Sequence, residues 1–153
     1  MHIRLAEVTD AGAVATVHVR SAHAVDGAVL DVEQRRAAWE RIIADNRWPA
    51  SAVLVAEVDA AVVGFANLWP APDAGVGEVA TIYTLPEVWG TGVGRALMDA
   101  VLTAAAAARY REVTLWVRAA NTRARRFYEA GGWRPDGAVD RDRIRYRRGS
   151  QPR

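Results

Sequence analysis

Between residues 78 and 95 the chain reads Glu78-Val-Ala-Thr-Ile-Tyr-Thr-Leu-Pro-Glu-Val-Trp-Gly-Thr-Gly-Val-Gly-Arg95. The first half, Glu78 to Leu85, is a near-continuous apolar run and predicts a central strand buried on both faces. Pro86 to Thr91 turns the chain. Trp89-Gly90-Thr91-Gly92-Val93-Gly94-Arg95 then leads into Ala96, Leu97, Val101 and Leu102, which start a long alanine-rich helix. Glycines between a buried strand and a helix let backbone N–H groups point inward at the helix's positive end, an anion site suited to phosphate. A tight glycine turn without a ligand is the plainer reading. Two competing nucleotide folds fail on residue identity. A P-loop needs lysine, and all 20 basic residues here are arginine. A dinucleotide fingerprint counted from Gly90 needs a glycine where Arg95 stands, and the next strand ends Val117-Arg118-Ala119 rather than in an acid for ribose.

Working outward, His2 to Val8 predicts a short strand, and Thr9-Asp10 caps a helix that ends between Ser21 and Gly27. Asp31 with Gln34 resembles an acidic capping box opening a second helix through Trp39, Ile42 and Ile43, which Asn46 to Ser51 breaks. Ala52 to Val58 and Val62 to Leu68 form a hairpin across Asp59-Ala60-Ala61. Pro70 to Gly77 is a loop. After the alanine helix, Arg109 and Arg111 suit its C-terminal dipole, and Val113 to Val117 is another strand. Asn121 caps a helix from Thr122 to Ala130 that Gly131-Gly132 ends. Trp133 to Arg148 is a last hairpin turning at Pro135-Asp136-Gly137. The order βααβββαβαββ makes a mixed α/β sheet, and residues 1–153 read as one domain.

The composition removes whole chemistries. With no cysteine there is no thiolate zinc site, disulfide or cysteine nucleophile, and with no lysine no Schiff base. The histidines at 2, 18 and 23 make no zinc pair, so no metal is expected. A net charge of +2 does not by itself imply nucleic acid. No apolar run reaches the roughly 18 residues of a membrane span, and the start lacks a signal-peptide layout, so a cytoplasmic protein is expected.

Residues 78–95 and a second stretch, Leu115-Trp-Val-Arg-Ala-Ala-Asn-Thr-Arg-Ala-Arg-Arg-Phe-Tyr-Glu-Ala-Gly-Gly-Trp133, together resemble the GNAT superfamily of acyl-CoA-dependent N-acyltransferases. Residues 89–94 fit the family's pyrophosphate signature, [Q/R]-x-x-G-x-[G/A], except that Trp89 stands where Gln or Arg is expected. The resemblance implies a GNAT-like fold with splayed fourth and fifth strands. It also implies a protein that transfers an acetyl group from acetyl-CoA to an amine. The backbone of Ile82, Tyr83 and Thr84 would pair with pantetheine, and the amides of Gly90, Thr91, Gly92, Val93, Gly94 and Arg95 would hold the pyrophosphate. Asn121 would sit beside the pantetheine arm, or simply cap its helix. Homodimers are common in the family.

The same resemblance makes Tyr128 the general acid for the CoA thiolate and Glu78 a candidate base. Their plainer readings are a core tyrosine and a strand-end carboxylate. The only serines, at 21, 51 and 150, lie outside these motifs, so direct attack in a ternary complex is favoured over an acyl-enzyme. Trp116 and Trp133 read as core. His18 and His23 are surface residues of the first helix, or acceptor contacts. Arg141, Arg143, Arg145 and Arg147 alternate and would share one strand face. The resemblance implies a small-molecule or peptide amine as acceptor. A mouth carrying Asp26, Asp31, Asp73, Asp136, Asp140 and Asp142 would favour a cationic one. The plainer reading is aspartate serving turns and caps, and Arg141 and Arg143, interleaved with the last two, could cancel their field. Two rivals remain: a non-catalytic acyl-CoA sensor module, and an arginine-rich nucleic-acid-binding protein.

Overall fold

The computed structural model describes residues 1–150. Strands β1 (His2–Leu5), β2 (Ala52–Val58), β3 (Ala61–Pro70), β4 (Val76–Thr84), β5 (Glu112–Arg118), β6 (Arg134–Asp140) and β7 (Arg143–Gly149) form one sheet in the order β1-β2-β3-β4-β5-β7-β6. Helices α1 (Ala11–Asp26), α2 (Val32–Asp45), α3 (Val93–Ala107) and α4 (Thr122–Ala130) complete the expected element order. Against one face lie α3 and α4, burying Leu97, Val101, Leu115, Trp133 and Tyr146. On the other face α1 and α2 enclose Val14, Val17, Trp39, Val55 and Phe65. Phe65 is 0% and Trp133 1% exposed, and truncating either to alanine costs about 3–5 kcal/mol. No helix among the described residues is long and apolar enough to cross a membrane.

One pair of strands positions the site. β4 and β5 are parallel neighbours, yet they pair only at Val76↔Glu112, Gly77↔Val113 and Glu78↔Thr114. Beyond Glu78 they part, and β4 continues against β3 alone. The break coincides with a bulge: Asn67 faces Thr81 and Leu68 faces Val79, which leaves Ala80 unpaired. A bulge bends its strand and steepens its twist, steering the end of β4 away from β5. β4 is therefore not buried on both faces as its apolar run suggests. Residues 80–84 are only half-buried, because one flank of the strand opens on a cleft.

Other local expectations shift for identifiable reasons. β1 stops at Leu5, and Asp10 does not cap α1. Its carboxylate instead accepts the Glu7 N–H and two N–H groups of Arg4. Asp31 caps α2 by accepting from the Gln34 N–H. The predicted loop from Pro70 shrinks to residues 71–75, since β3 and β4 extend into it. Arg109 and Arg111 lie beyond the end of α3, Arg109 with φ +63°. The final hairpin turns not at Pro135-Asp136-Gly137 but at Arg141-Asp142, where Arg141 has φ +57°. The earlier triplet forms a bulge inside β6, held because Asp136 accepts from Arg145 and Arg147. Arg141 therefore leaves the arginine row, and only Arg143, Arg145 and Arg147 share a face of β7. Trp116 is half-buried rather than core, with the guanidiniums of Arg143 and Arg145 over its ring at 5.3 and 5.6 Å.

Candidate active site

The parted strands enclose a cavity of about 790 Å³ that runs from the glycine loop, past Tyr128, to the C-terminal end of α1. At the loop end, Gly90 and Gly92 have φ of +77° and +95°. A Cβ on either would meet nothing within 4 Å, so these glycines serve backbone conformation and open access rather than packing. Gly92 precedes α3, whose first N–H groups have no partner within the helix. Arg95, Arg123 and Arg126 line the same end, and none has a carboxylate partner among the described residues. Thr91 and Val93, also expected in the anion loop, are not among the cavity-lining residues. The Thr91 N–H and hydroxyl both turn back to the Val88 carbonyl, and Val93 is 3% exposed.

The backbone of β4 supplies one wall. Leu85 donates its N–H to Val63 of β3 at 2.9 Å. Antiparallel alternation then turns the N–H and C=O of Tyr83 towards β3, and those of Ile82 and Thr84 into the cleft. The Thr84 carbonyl is already engaged, accepting from the Ser21 hydroxyl and from the Trp89 indole, each at 3.1 Å. Of the three residues expected to pair with a ligand backbone, Ile82 alone keeps both groups facing the cleft and uncommitted. Tyr83 contributes its ring, stacked on His18 at 5.3 Å.

Tyr128 approaches from α4, whose start Asn121 caps by accepting from the Ala124 N–H at 3.2 Å. Asn121 lines the cavity as well, so both expected roles fall on one side chain. The Tyr128 ring packs against Phe127, Trp133 and Tyr146, and the residue is 8% exposed. Its hydroxyl has no hydrogen-bond partner among the described residues, yet no sealed side-chain polar atom is left unsatisfied. The hydroxyl therefore opens onto the cavity that the residue lines. Burial, then the neighbouring Tyr83, push the phenol above its ordinary value, with Arg123 opposing.

Glu78 stands apart from this group. It is the last β4 residue paired with β5, and it is not among the cavity-lining residues. Its carboxylate accepts from the Trp69 indole at 2.7 Å. By strand alternation it shares a sheet face with Thr114 and Trp116. His18 also lies outside the cavity, its ring wedged among Trp39, Phe65 and Tyr83.

At the far end Val25, Asp26, Trp116, Arg118 and Arg143 line the mouth. The expected acidic field is largely cancelled there. Arg118 lies 3.4 Å from Asp26 and 3.9 Å from Asp142, and Arg143 takes Asp140 at 2.8 Å. Asp136 is spent on Arg145 and Arg147, Asp31 on its cap, and Asp73 lies at the other end of β4. Sequence reading missed Arg123 and Arg126. Their spacing of three on a helix, with Phe127 beside them, was the available signal that they share a face.

The pattern of the Acetyltransferase (GNAT) family matches residues 17–133. An uncharacterized N-acetyltransferase of Mycobacterium tuberculosis is 40% identical over 89 residues, 58% of this chain and 56% of that protein. The chain thus spans about half the length of the curated relatives it matches. Among solved structures, the PaiA N-acetyltransferase of Thermoplasma acidophilum, in complex with coenzyme A, superposes with a TM-score of 0.80 at 19% identity, over 97% of this chain and 98% of that one. The yncA protein of Salmonella typhimurium, with its cofactor acetyl-CoA, gives 0.75 at 20% identity, over 100% and 95%. Both share the fold.

Proposed function

The chain belongs to the acetyltransferase (GNAT) family, and on that premise we propose that it moves an acetyl group from acetyl-CoA to an amine by direct attack in a ternary complex. The observation that carries the proposal is the cavity itself. Among the described residues, one end offers glycine amides and arginines without acid partners, and its middle offers a tyrosine hydroxyl without a hydrogen-bond partner. The first suits a diphosphate and the second a leaving thiolate. Relatives of the same fold hold coenzyme A and acetyl-CoA.

Acetyl-CoA supplies the activated thioester. The loop amides from Gly90 to Arg95, apart from that of Thr91, which the Val88 carbonyl holds, bind its diphosphate. The cleft-facing backbone of Ile82 pairs with pantetheine as an added strand would, and Asn121 lies alongside. Tyr128 donates its proton to the departing thiolate. A thiol titrates near 8.5 and a phenol near 10, so the tyrosine is protonated when the thiolate forms. Glu78, outside the cavity lining but on the sheet face it shares with the cavity-lining Trp116, takes the amine's proton through intervening water. No covalent acyl-enzyme is invoked. The chain has no cysteine, and the Ser21 hydroxyl is committed to the Thr84 carbonyl.

The test is thiol release from acetyl-CoA across an amine panel. Because the chain lacks cysteine, every thiol that appears is CoA. Amine-dependent release supports the proposal. CoA binding without release on any amine would make the chain an acyl-CoA-binding module instead.

A further inference from the structure

We infer that Arg123 of α4, laid over the indole of Trp89, is a diphosphate-binding residue of the acyl-CoA site, and that Trp89 is the shelf that aims it. The inference rests on the acyl-CoA reading of the cavity.

The guanidinium carbon of Arg123 stands 3.7 Å from the centroid of the Trp89 ring. The ring is fixed, because its only polar atom donates to the Thr84 carbonyl. Trp89 therefore ties β4, the glycine loop and α4 together. A guanidinium stacked on an aromatic face keeps its N–H bonds in its own plane, where two can meet neighbouring phosphate oxygens at once.

Arg123 combines two features: no charge partner among the described residues, and a place on the Trp89 ring at the glycine-loop end of the cavity. Arg4, Arg20, Arg118 and Arg143 each sit against a carboxylate. Arg123 has none among the described residues, although it lines the same cavity end as Gly90, Gly92 and Arg95. Burial lowers its pKa from the ordinary arginine value. The residue as a whole is exposed, so the guanidinium is covered on its Trp89 side and open towards the cavity. The glycine loop contributes only one cationic side chain of its own, Arg95, since Trp89 at its start is apolar. A diphosphate settling on the loop amides would find its second side-chain cation on α4, across the cleft.

The rival role for the pair is a staple holding α4 to the loop, and the two roles differ in what they move. CoA and 3′-dephospho-CoA affinities are measured by titration calorimetry for the parent, Arg123→Ala, Arg123→Lys and Trp89→Leu, with thermal unfolding of each. Arg123→Ala is expected to weaken both ligands by the same factor, about 10- to 100-fold, as for one lost charge-assisted contact. Its affinity should also depend less on salt. Arg123→Lys should recover only part of the loss, and Trp89→Leu should lose affinity while the charge is kept. Unchanged affinity in Arg123→Ala with a lowered melting temperature makes the pair a staple and overturns the inference. A loss confined to CoA, sparing the dephospho form, assigns Arg123 to the 3′-phosphate and overturns it too. A parent that binds neither ligand overturns the acyl-CoA reading itself.

Discussion

The indole N–H of Trp39 donates to Nδ1 of His18 across 3.1 Å. An indole can only donate, so Nδ1 is bare and the neutral ring carries its proton on Nε2. Burial, with Arg35 adding repulsion, pushes the His18 pKa down to about 4. The unfolded chain, with histidine near 6.5, binds the extra proton first as pH falls. The stability tied to neutral His18 is thus complete above pH 6.5 and drains away towards pH 4. In His18→Asn the amide oxygen still accepts from Trp39. Melting temperatures of this variant and the parent should converge, or cross in the variant's favour, between pH 7.5 and 5. A constant gap across that range would show that His18 does not titrate this way.

Tyr128→Phe keeps the ring packing and removes a hydroxyl that has no hydrogen-bond partner among the described residues. Turnover should fall by about 10²- to 10⁴-fold, while CoA affinity and melting temperature stay near the parent's. Steady-state kinetics alongside calorimetry separate the outcomes. Full activity in an assay limited by chemistry would return Tyr128 to a packing role.

Glu78→Gln preserves an oxygen to accept the Trp69 indole and removes only basicity. The expected result is a lower kcat/KM, a flattened acidic limb of the pH–rate profile and unchanged CoA affinity. An acidic limb identical to the parent's would hand the amine's proton to ordered water instead.

Asp10 accepts two N–H groups of Arg4, at 2.7 and 2.9 Å, and joins β1 to the turn before α1. Those bonds hold its carboxyl below the usual range, so the stability they add is present above pH 4 and lost below it. Asp10→Asn should cost about 1–2 kcal/mol, or about 2–8 °C in Tm, at neutral pH. The gap from the parent should narrow in acid. Acetyl transfer should persist, since neither residue lines the main cavity.

Element order was legible in the sequence because hydrophobic period, caps and glycines agreed on it. Two features were not. The parting of β4 from β5 was expected from the family resemblance, but the residue it turns on, the unpaired Ala80, was not legible, because nothing in an apolar run marks which position bulges. The Pro135-Asp136-Gly137 triplet carries turn chemistry but became a bulge, because Asp136 found two arginines on β7. In the site, the glycine loop and Tyr128 stood out as sequence motifs. The pairing of charges at the mouth did so only in part. Within the last hairpin the interleaving of Arg141 and Arg143 with Asp140 and Asp142 already suggested cancellation, and Arg143 does take Asp140. The pairing of Arg118 of β5 with Asp26 of α1 and with Asp142 arises only in the fold.

The central claim, that the glycine loop receives the diphosphate of acyl-CoA, is tested most directly by titrating CoA into the parent and Gly92→Val. Gly92 has φ +95° and open space around its missing Cβ. The substitution therefore strains one backbone position without crowding the core, and thermal unfolding verifies that the fold survives. One CoA site per chain is expected in the parent, and an affinity at least about tenfold weaker in the variant. Equal affinity in the two proteins, with both folded, would contradict it.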